Sequence, residues 1–252
     1  MFENLYETLN GFSVFVAFFI ITFIICISLV IFAPRSQNFF KEVFPDLEKL
    51  SERKDIIDET FVNLDIKLND DNLAAEYEEL YKNKKQNAHE IKWEEFPDKN
   101  IISGEVEILP IFMFSKINEI NKNIFDKLFN FAKPMTSIQS IHFIKLKPKA
   151  KIKKHTGWAD ISNNTLRYIY CFNSFCYSDE ECGIWVNGES KKLFKDYSYI
   201  YDSSKEHSIY NNTFDEIIFL IIDFDRPKNI NVGFSEYNLS KPDNLRKPSD
   251  AE

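Results

Sequence analysis

Histidine is scarce in this chain: 252 residues contain four, His89, His142, His155 and His207. A metal or acid–base centre built on imidazole therefore has few possible partners. Cysteine is equally sparse. Cys26 falls in an apolar run, which leaves Cys171, Cys176 and Cys182, an odd set without metal-type spacing. This predicts reduced thiols, as suits a cytoplasmic domain. Basic charge does not dominate either: 31 Lys and Arg stand against 39 Asp and Glu, a formal net charge of −8. With no zinc-finger spacing and no basic domain, nucleic acid is excluded as a partner. No internal repeat is present, and the sequons at Asn163, Asn211 and Asn238 carry little weight in an Asn-rich chain.

Charge is missing altogether from residues 8–34. Within them GFSVFVAFFIITFIICISLVIFA, residues 11–33, is apolar nearly throughout. As a helix rising about 1.5 Å per residue it spans a hydrocarbon core of about 30 Å. A signal peptide wants a positive start and a shorter apolar core, whereas Glu3 and Glu7 precede this run. The expectation is a short tail (1–10) followed by one transmembrane helix (11–33). Arg35 and Lys41 follow the run and no Lys or Arg precedes it, so the remainder is expected to face the cytoplasm.

What is present after the anchor is enough for one core: 44% of the residues are apolar, 15% aromatic and 28% charged. Residues 36–135 read mostly as a helical layer. KEVFPDLEKLSERKDIIDETFVNLD has apolar residues at helical spacing after Pro45, and LAAEYEELYKN is built of good helix formers. Residues 115–133 place Ile117, Ile120, Ile124, Leu128 and Phe131 on one face, with Ser115 as N-cap. From 136 to 227 the pattern changes to short β-type runs: SIHFIKL, LRYIYCF, GIWVN, YSYIYD and EIIFLIIDF. Such runs argue for a sandwich or small barrel, of which the jelly roll is one kind. Residues 228–252 form a polar, Pro-containing tail expected to be flexible.

His155, in KKHTGWAD, follows the first β run, and His207 lies between the fourth and the fifth. Strand ends of a jelly roll can meet, so the two imidazoles can converge on one metal. A surface role for each is the commoner outcome for histidines so placed. Alternation along KLKPKAKIKK would put Lys145, Lys147, Lys149, Lys151 and Lys153 on one strand face, turned away from His142, Ile144 and Leu146. That comb reads first as a solvated outer face, and second as a surface for anionic head groups or an acidic peptide.

HTG, LRYIYCF, CGIWVNG, YIYDSSKEHSIYN and IIFLIIDFDRP, in that order, resemble the aspartyl/asparaginyl β-hydroxylase family, which includes lipid A hydroxylases acting at a membrane. FPDLEKL, WEEFP and FIKLKPKAKIKKHTG extend the likeness over residues 44–227. The resemblance implies a mainly β fold: a double-stranded β-helix (jelly roll, cupin-like) with a flanking N-terminal helical layer. It implies Fe(II) on His155 and His207, 2-oxoglutarate as cosubstrate contacted by Arg167, and hydroxylation of a protein Asp/Asn side chain or a lipid acyl chain. Gly157, two residues after His155, stands where many related oxygenases have a carboxylate, so no third protein ligand is expected. Glu206 and Ser203 are expected as turn or supporting residues. The chain departs from the family pattern at Ile144, Ile169 and Ile217, where Ser, His and Arg are expected, and these changes would line one end of the pocket with isoleucine. The alternatives are a non-catalytic, membrane-anchored jelly-roll binding protein descended from the family, and a tethered scaffold that uses the helical layer.

Overall fold

A computed structural model describes residues 16, 19–23, 37–65, 91–135, 137–174, 176 and 178–237. The chain divides into two compact units, 1–37 and 38–252. In the first, Val16 and residues 19–23 are helical and exposed. Among the described residues no helix is long and apolar enough to cross a membrane. Most of the span expected at 11–33 lies outside them, as do the helix expected at 73–83 and His89.

The second unit carries strands β1 (Phe39–Phe40), β2 (Glu94–Glu95), β3 (Ile102–Ser103), β4 (Val106–Met113), β5 (Lys116–Ile117), β6 (Ile138–Leu146) and β7 (Lys151–His155). These continue as β8 (Thr165–Cys171), β9 (Cys182–Val186), β10 (Glu189–Lys192), β11 (Ser198–Tyr201), β12 (His207–Asn211) and β13 (Ile217–Asp225). The larger sheet runs β1-β11-β8-β13-β6-β4-β2 with β5 on β4, and the smaller runs β10-β9-β12-β7-β3. Neighbouring strands in both sheets are antiparallel. The helices are α1 (Pro45–Glu48), a 3-10 turn (Lys49–Glu52), α2 (Lys54–Asn63), α3 (Glu119–Ile124), α4 (Asp126–Ala132) and α5 (Ala159–Ser162).

β13 shows why the sequence folds this way. Side chains alternate between the faces of a strand. Ile217, Phe219 and Ile221 therefore join Ile152, Ile184, Val186 and Ile209 in the core between the sheets. Ile218, Leu220, Ile222 and Phe224 point the other way and meet Leu47, Leu50, Phe61, Leu128 and Phe129 of the helical layer. A strand covered on both faces reads as an unbroken apolar run. Each such side chain contributes about 1.5–3 kcal/mol by leaving water. The architecture is thus the mainly β, two-sheet jelly roll with a helical layer that the sequence led us to expect.

Several details differ. The region 36–135 also contains β4, an eight-residue strand. Pro110 interrupts its sequence pattern, and the ladder to β6 shifts register between Pro110 and Phe112, where a missing N–H is tolerated. The helix expected over 115–133 starts only after Asn118, whose side chain accepts from the Asn121 N–H at 3.1 Å, and breaks at Phe125. Ser115 sits in the β4–β5 turn at φ 72°, and Ile117 and Ile120 are exposed. The buried face is instead Asn121, Phe125, Leu128, Phe129 and Ala132. The lysine comb is not one strand: β6 ends at Leu146, and Lys149 turns the chain at φ 62° before β7. Cys176 is disulfide-bonded to Cys182, with Cα atoms 5.8 Å apart, while Cys171 is free and buried. The thiols are therefore not all reduced, because the chain after β8 returns to the start of β9. The first part of the tail is not loose either. Backbone amides of Gly233 and Ala159, donating to Asn163 and Tyr237 carbonyls, dock residues 228–237 against the loops that follow β7 and α5.

Candidate metal centre

The small sheet makes the pair. His155 ends β7, His207 starts β12, and the two are direct partners in the antiparallel ladder. Their ring centroids lie 4.3 Å apart at 47°. Each Nδ1 is 2.8 Å from the carbonyl two residues earlier, Lys153 O for His155 and Lys205 O for His207. A carbonyl can only accept, so Nδ1 carries the proton and Nε2 presents a lone pair. Burial holds both imidazoles below their ordinary pKa, His207 well below, with the mutual effect of His155 and the charge of Arg167 adding to it. Both are neutral at pH 7, the state a metal ion requires.

The loops that carry the histidines are tied together. The Gly157 N–H donates to Ser203 O at 2.8 Å. Asp202 accepts from Arg226 at 2.7 and 3.0 Å, and Arg226 also donates to the Ser162 and Thr165 carbonyls. Burial alone would raise the Asp202 carboxyl, but Arg226 and Ser204 hold it below the usual range. The DSSKEH turn and the DFDRP segment are thus one buried polar joint. Ser203 is buried against the pocket and Glu206 is exposed, as turn residues rather than ligands.

Gly157, two residues after His155, is tightly packed. A Cβ there would lie 2.8 Å from Ser162 Cβ and 2.9 Å from Ser203 O, closer than real atoms approach. Among the described residues no group of three or more His, Cys, Asp or Glu could hold a metal. The geometry at Gly157 leaves no room for a side chain between Ser162 and Ser203.

The large sheet supplies the opposite wall. Arg167 on β8 faces Asp223 on β13, which in turn faces Ser140 on β6. Arg167 donates to Asp223 through Nε (2.7 Å) and Nη2 (3.1 Å), and Ser140 Oγ donates at 2.8 Å. His142, two residues along β6, completes this polar corner, with Nδ1 3.4 Å from Ser140 Oγ. Burial pushes its pKa down to about 4. Burial would raise the Asp223 carboxyl, but Arg167 outweighs it and holds the carboxyl below the usual range. Tyr201, the β11 neighbour of Arg167, lies with its ring 5.5 Å from that of His207.

Between the walls lies a small, partly open pocket, with a cavity volume of about 90 Å³. His142, His155, Arg167, His207 and Asp223 give it its chemistry, and Phe96, Ile101, Ile108, Met113, Phe114, Ile144, Ile152, Trp158 and Ile161 its apolar surface. Tyr237 of the docked tail closes one rim, its hydroxyl donating to Asp98 at 3.1 Å. All three sequence-derived site residues, His155, His207 and Arg167, line this pocket. Of the three isoleucines only Ile144 does so; Ile169 and Ile217 are buried in the core between the sheets. The sequence reading missed Asp223, Ser140, the role of His142, and the tail. Asp223 had a signal: a lone acid in IIFLIIDF, in phase with the inward residues Ile217, Phe219 and Ile221.

The family model described as aspartyl/asparaginyl beta-hydroxylase matches residues 65–227. No curated protein matches the chain. Similar solved structures include a predicted oxalate decarboxylase from Thermotoga maritima, 18% identical at TM-score 0.37, covering 54% of this chain and 95% of that one. The polyketide cyclase RemF from Streptomyces resistomycificus is 12% identical at TM-score 0.35, covering 58% and 83%. A cupin-like protein from Thermotoga maritima is 9% identical at TM-score 0.35, covering 60% and 90%.

Proposed function

The chain belongs to the aspartyl/asparaginyl β-hydroxylase family, and from that premise we propose that it is an iron-dependent hydroxylase using a 2-oxo acid cosubstrate, held at a membrane by residues 11–33. The observation that carries this reading is the in-register pair His155 and His207, both neutral and both with Nδ1 committed to backbone. His155 and His207 would hold a ferrous ion through their two free imidazole nitrogens, and a chelating cosubstrate would suit such a carboxylate-free pair. When bound, the ion supplies O2 activation; the chain holds, orients and excludes water. Gly157 and Ser203 fix the loop that carries His155, and the Asp202–Arg226 joint fixes the one that carries His207. The substrate is a protein Asp/Asn side chain or a lipid acyl chain.

Iron fits these residues. 2-Oxoglutarate fits only by its chelating end, since Arg167 is already held by Asp223 and among the described residues no other Lys or Arg lines the pocket. This observation favours a second reading, a binding protein that retains the fold and the metal pair without turnover.

The test is metal content after anaerobic ferrous loading of the parent, His155→Ala and His207→Ala. One ion per parent chain and loss from both variants is expected. Full retention by either variant overturns the shared site.

A further inference from the structure

Arg167 and Asp223 are the only Lys/Arg and Asp/Glu side chains among the described residues that line the pocket, and they neutralise each other. Two of the guanidinium N–H groups are spent on the carboxylate, which Ser140 also satisfies. A ligand with one carboxylate can place it on the metal and against the guanidinium N–H groups that remain. A second carboxylate would find no cation: it would lie against Ile108, Ile144 and Ile152, against neutral groups such as Thr156, Ser162, Ser203 and Tyr237, or against Asp223, which repels it. An anion in a partly buried site with no cation to pair with is disfavoured relative to water.

Among the described residues no other Lys or Arg lines the pocket. Lys145 points to the outer face of β6, pairs with Glu107 at 3.3 Å and stacks on Trp93. Lys147 pairs with Glu107 and Glu216. Lys151 and Lys153 are on the exposed side of β7. Ile217, where an arginine would be expected from the family pattern, is packed in the core between the sheets and does not line the pocket. His142, with its pKa near 4, stays neutral and adds a hydrogen-bonding group without charge.

We propose that the cosubstrate of this protein is a 2-oxo acid with a single carboxylate and an aliphatic side chain, and that 2-oxoglutarate is disfavoured. The inference rests on the two-histidine metal reading and concerns only the far end of the same pocket. The single carboxylate goes to the metal and the Arg167 side of the site. The aliphatic side chain takes the space lined by Ile108, Ile144 and Ile152.

The experiment is calorimetry on the full chain in detergent, loaded with zinc so that no turnover occurs, titrated with 4-methyl-2-oxopentanoate and separately with 2-oxoglutarate. The parent is expected to bind the monoacid at least about tenfold more tightly, since each factor of ten in Kd is a modest difference in pairing. In Asp223→Asn the charge of Arg167 is released towards the ligand, and the preference should shrink or reverse. Ile144→Arg, which puts a second cation in the pocket wall, should act in the same direction. Equal or tighter binding of 2-oxoglutarate by the parent overturns the inference and leaves the metal site standing, as does failure of both acids to bind zinc-loaded protein. Failure to load zinc overturns the metal reading, and this inference with it.

Discussion

Asp223 on β13 and Arg167 on β8 are direct cross-strand partners, joined by hydrogen bonds of 2.7 and 3.1 Å, with the carboxylate side chain 2% exposed. Breaking such a buried pair on one side leaves a charge without a counterion. Asp223→Ala and Arg167→Ala are each expected to lower stability by about 3–5 kcal/mol. The double variant should lose much less than the sum. Urea denaturation of the four proteins measures this, and additive losses would show that the pair is not coupled.

Acid should act through His142. Its folded-state pKa is about 4 against an ordinary 6.5, so between those values the unfolded chain binds more protons than the folded one. Stability is then fully present above about 6.5 and falls by roughly 1.4 kcal/mol per pH unit on the way down to about 4. His155 and His207, also depressed, add to the fall in the metal-free protein. Thermal unfolding across that range should show the slope, and His142→Gln should reduce it. An unchanged slope in His142→Gln would place the effect elsewhere.

Gly157→Asp adds the carboxylate that many related iron sites have, yet it should not create a third ligand here. Its Cβ would meet Ser162 and the Ser203 carbonyl below 3 Å. The expected result is a lower Tm, with metal affinity unchanged or weaker. Tighter metal binding with no loss of stability would mean that the two loops part readily.

Alkylation of the folded protein followed by peptide mapping should leave Cys176 and Cys182 unmodified until a reductant is added. Cys171, buried with its pKa pushed up to about 12, should react only after unfolding. Free Cys176 and Cys182 in protein taken from sealed membranes would instead fit a cytoplasmic domain.

Asn163 holds the docked tail: its Nδ2 donates to Ser235 O at 3.0 Å and its Oδ1 accepts from the Ser235 N–H at 2.7 Å. Asn163→Ala should expose the amides of Gly233 and Ser235 to hydrogen exchange and cost about 1–3 kcal/mol. Exchange unchanged from the parent would mean that the tail is held by its other contacts alone. The same hydrogen bonds occupy the side chain that a glycan at this sequon would need.

The sequence by itself determined the mainly β architecture and, through its family resemblance, singled out the two histidines that the fold brings together. The continuous run of β13 requires apolar cover on both faces, and the HTG and DSSKEH segments fall at two strand ends that a jelly roll brings together. Periodicity failed where tertiary context overrode it. β4 carries a proline at a register shift, and residues 115–133 have more apolar positions than the single face that α3 and α4 bury. Only the tertiary structure decided what stands around the histidines. Arg167, Asp223 and Ser140 become one row because the registers of three strands align them, and no spacing along the chain encodes that register. Gly157 is restricted by Ser162 and Ser203, one nearby and one 46 positions away, and Tyr237 reaches the rim only because the tail docks on Asn163. Local pattern records how each strand meets its layers; which polar groups share a pocket depends on contacts between residues far apart in the chain.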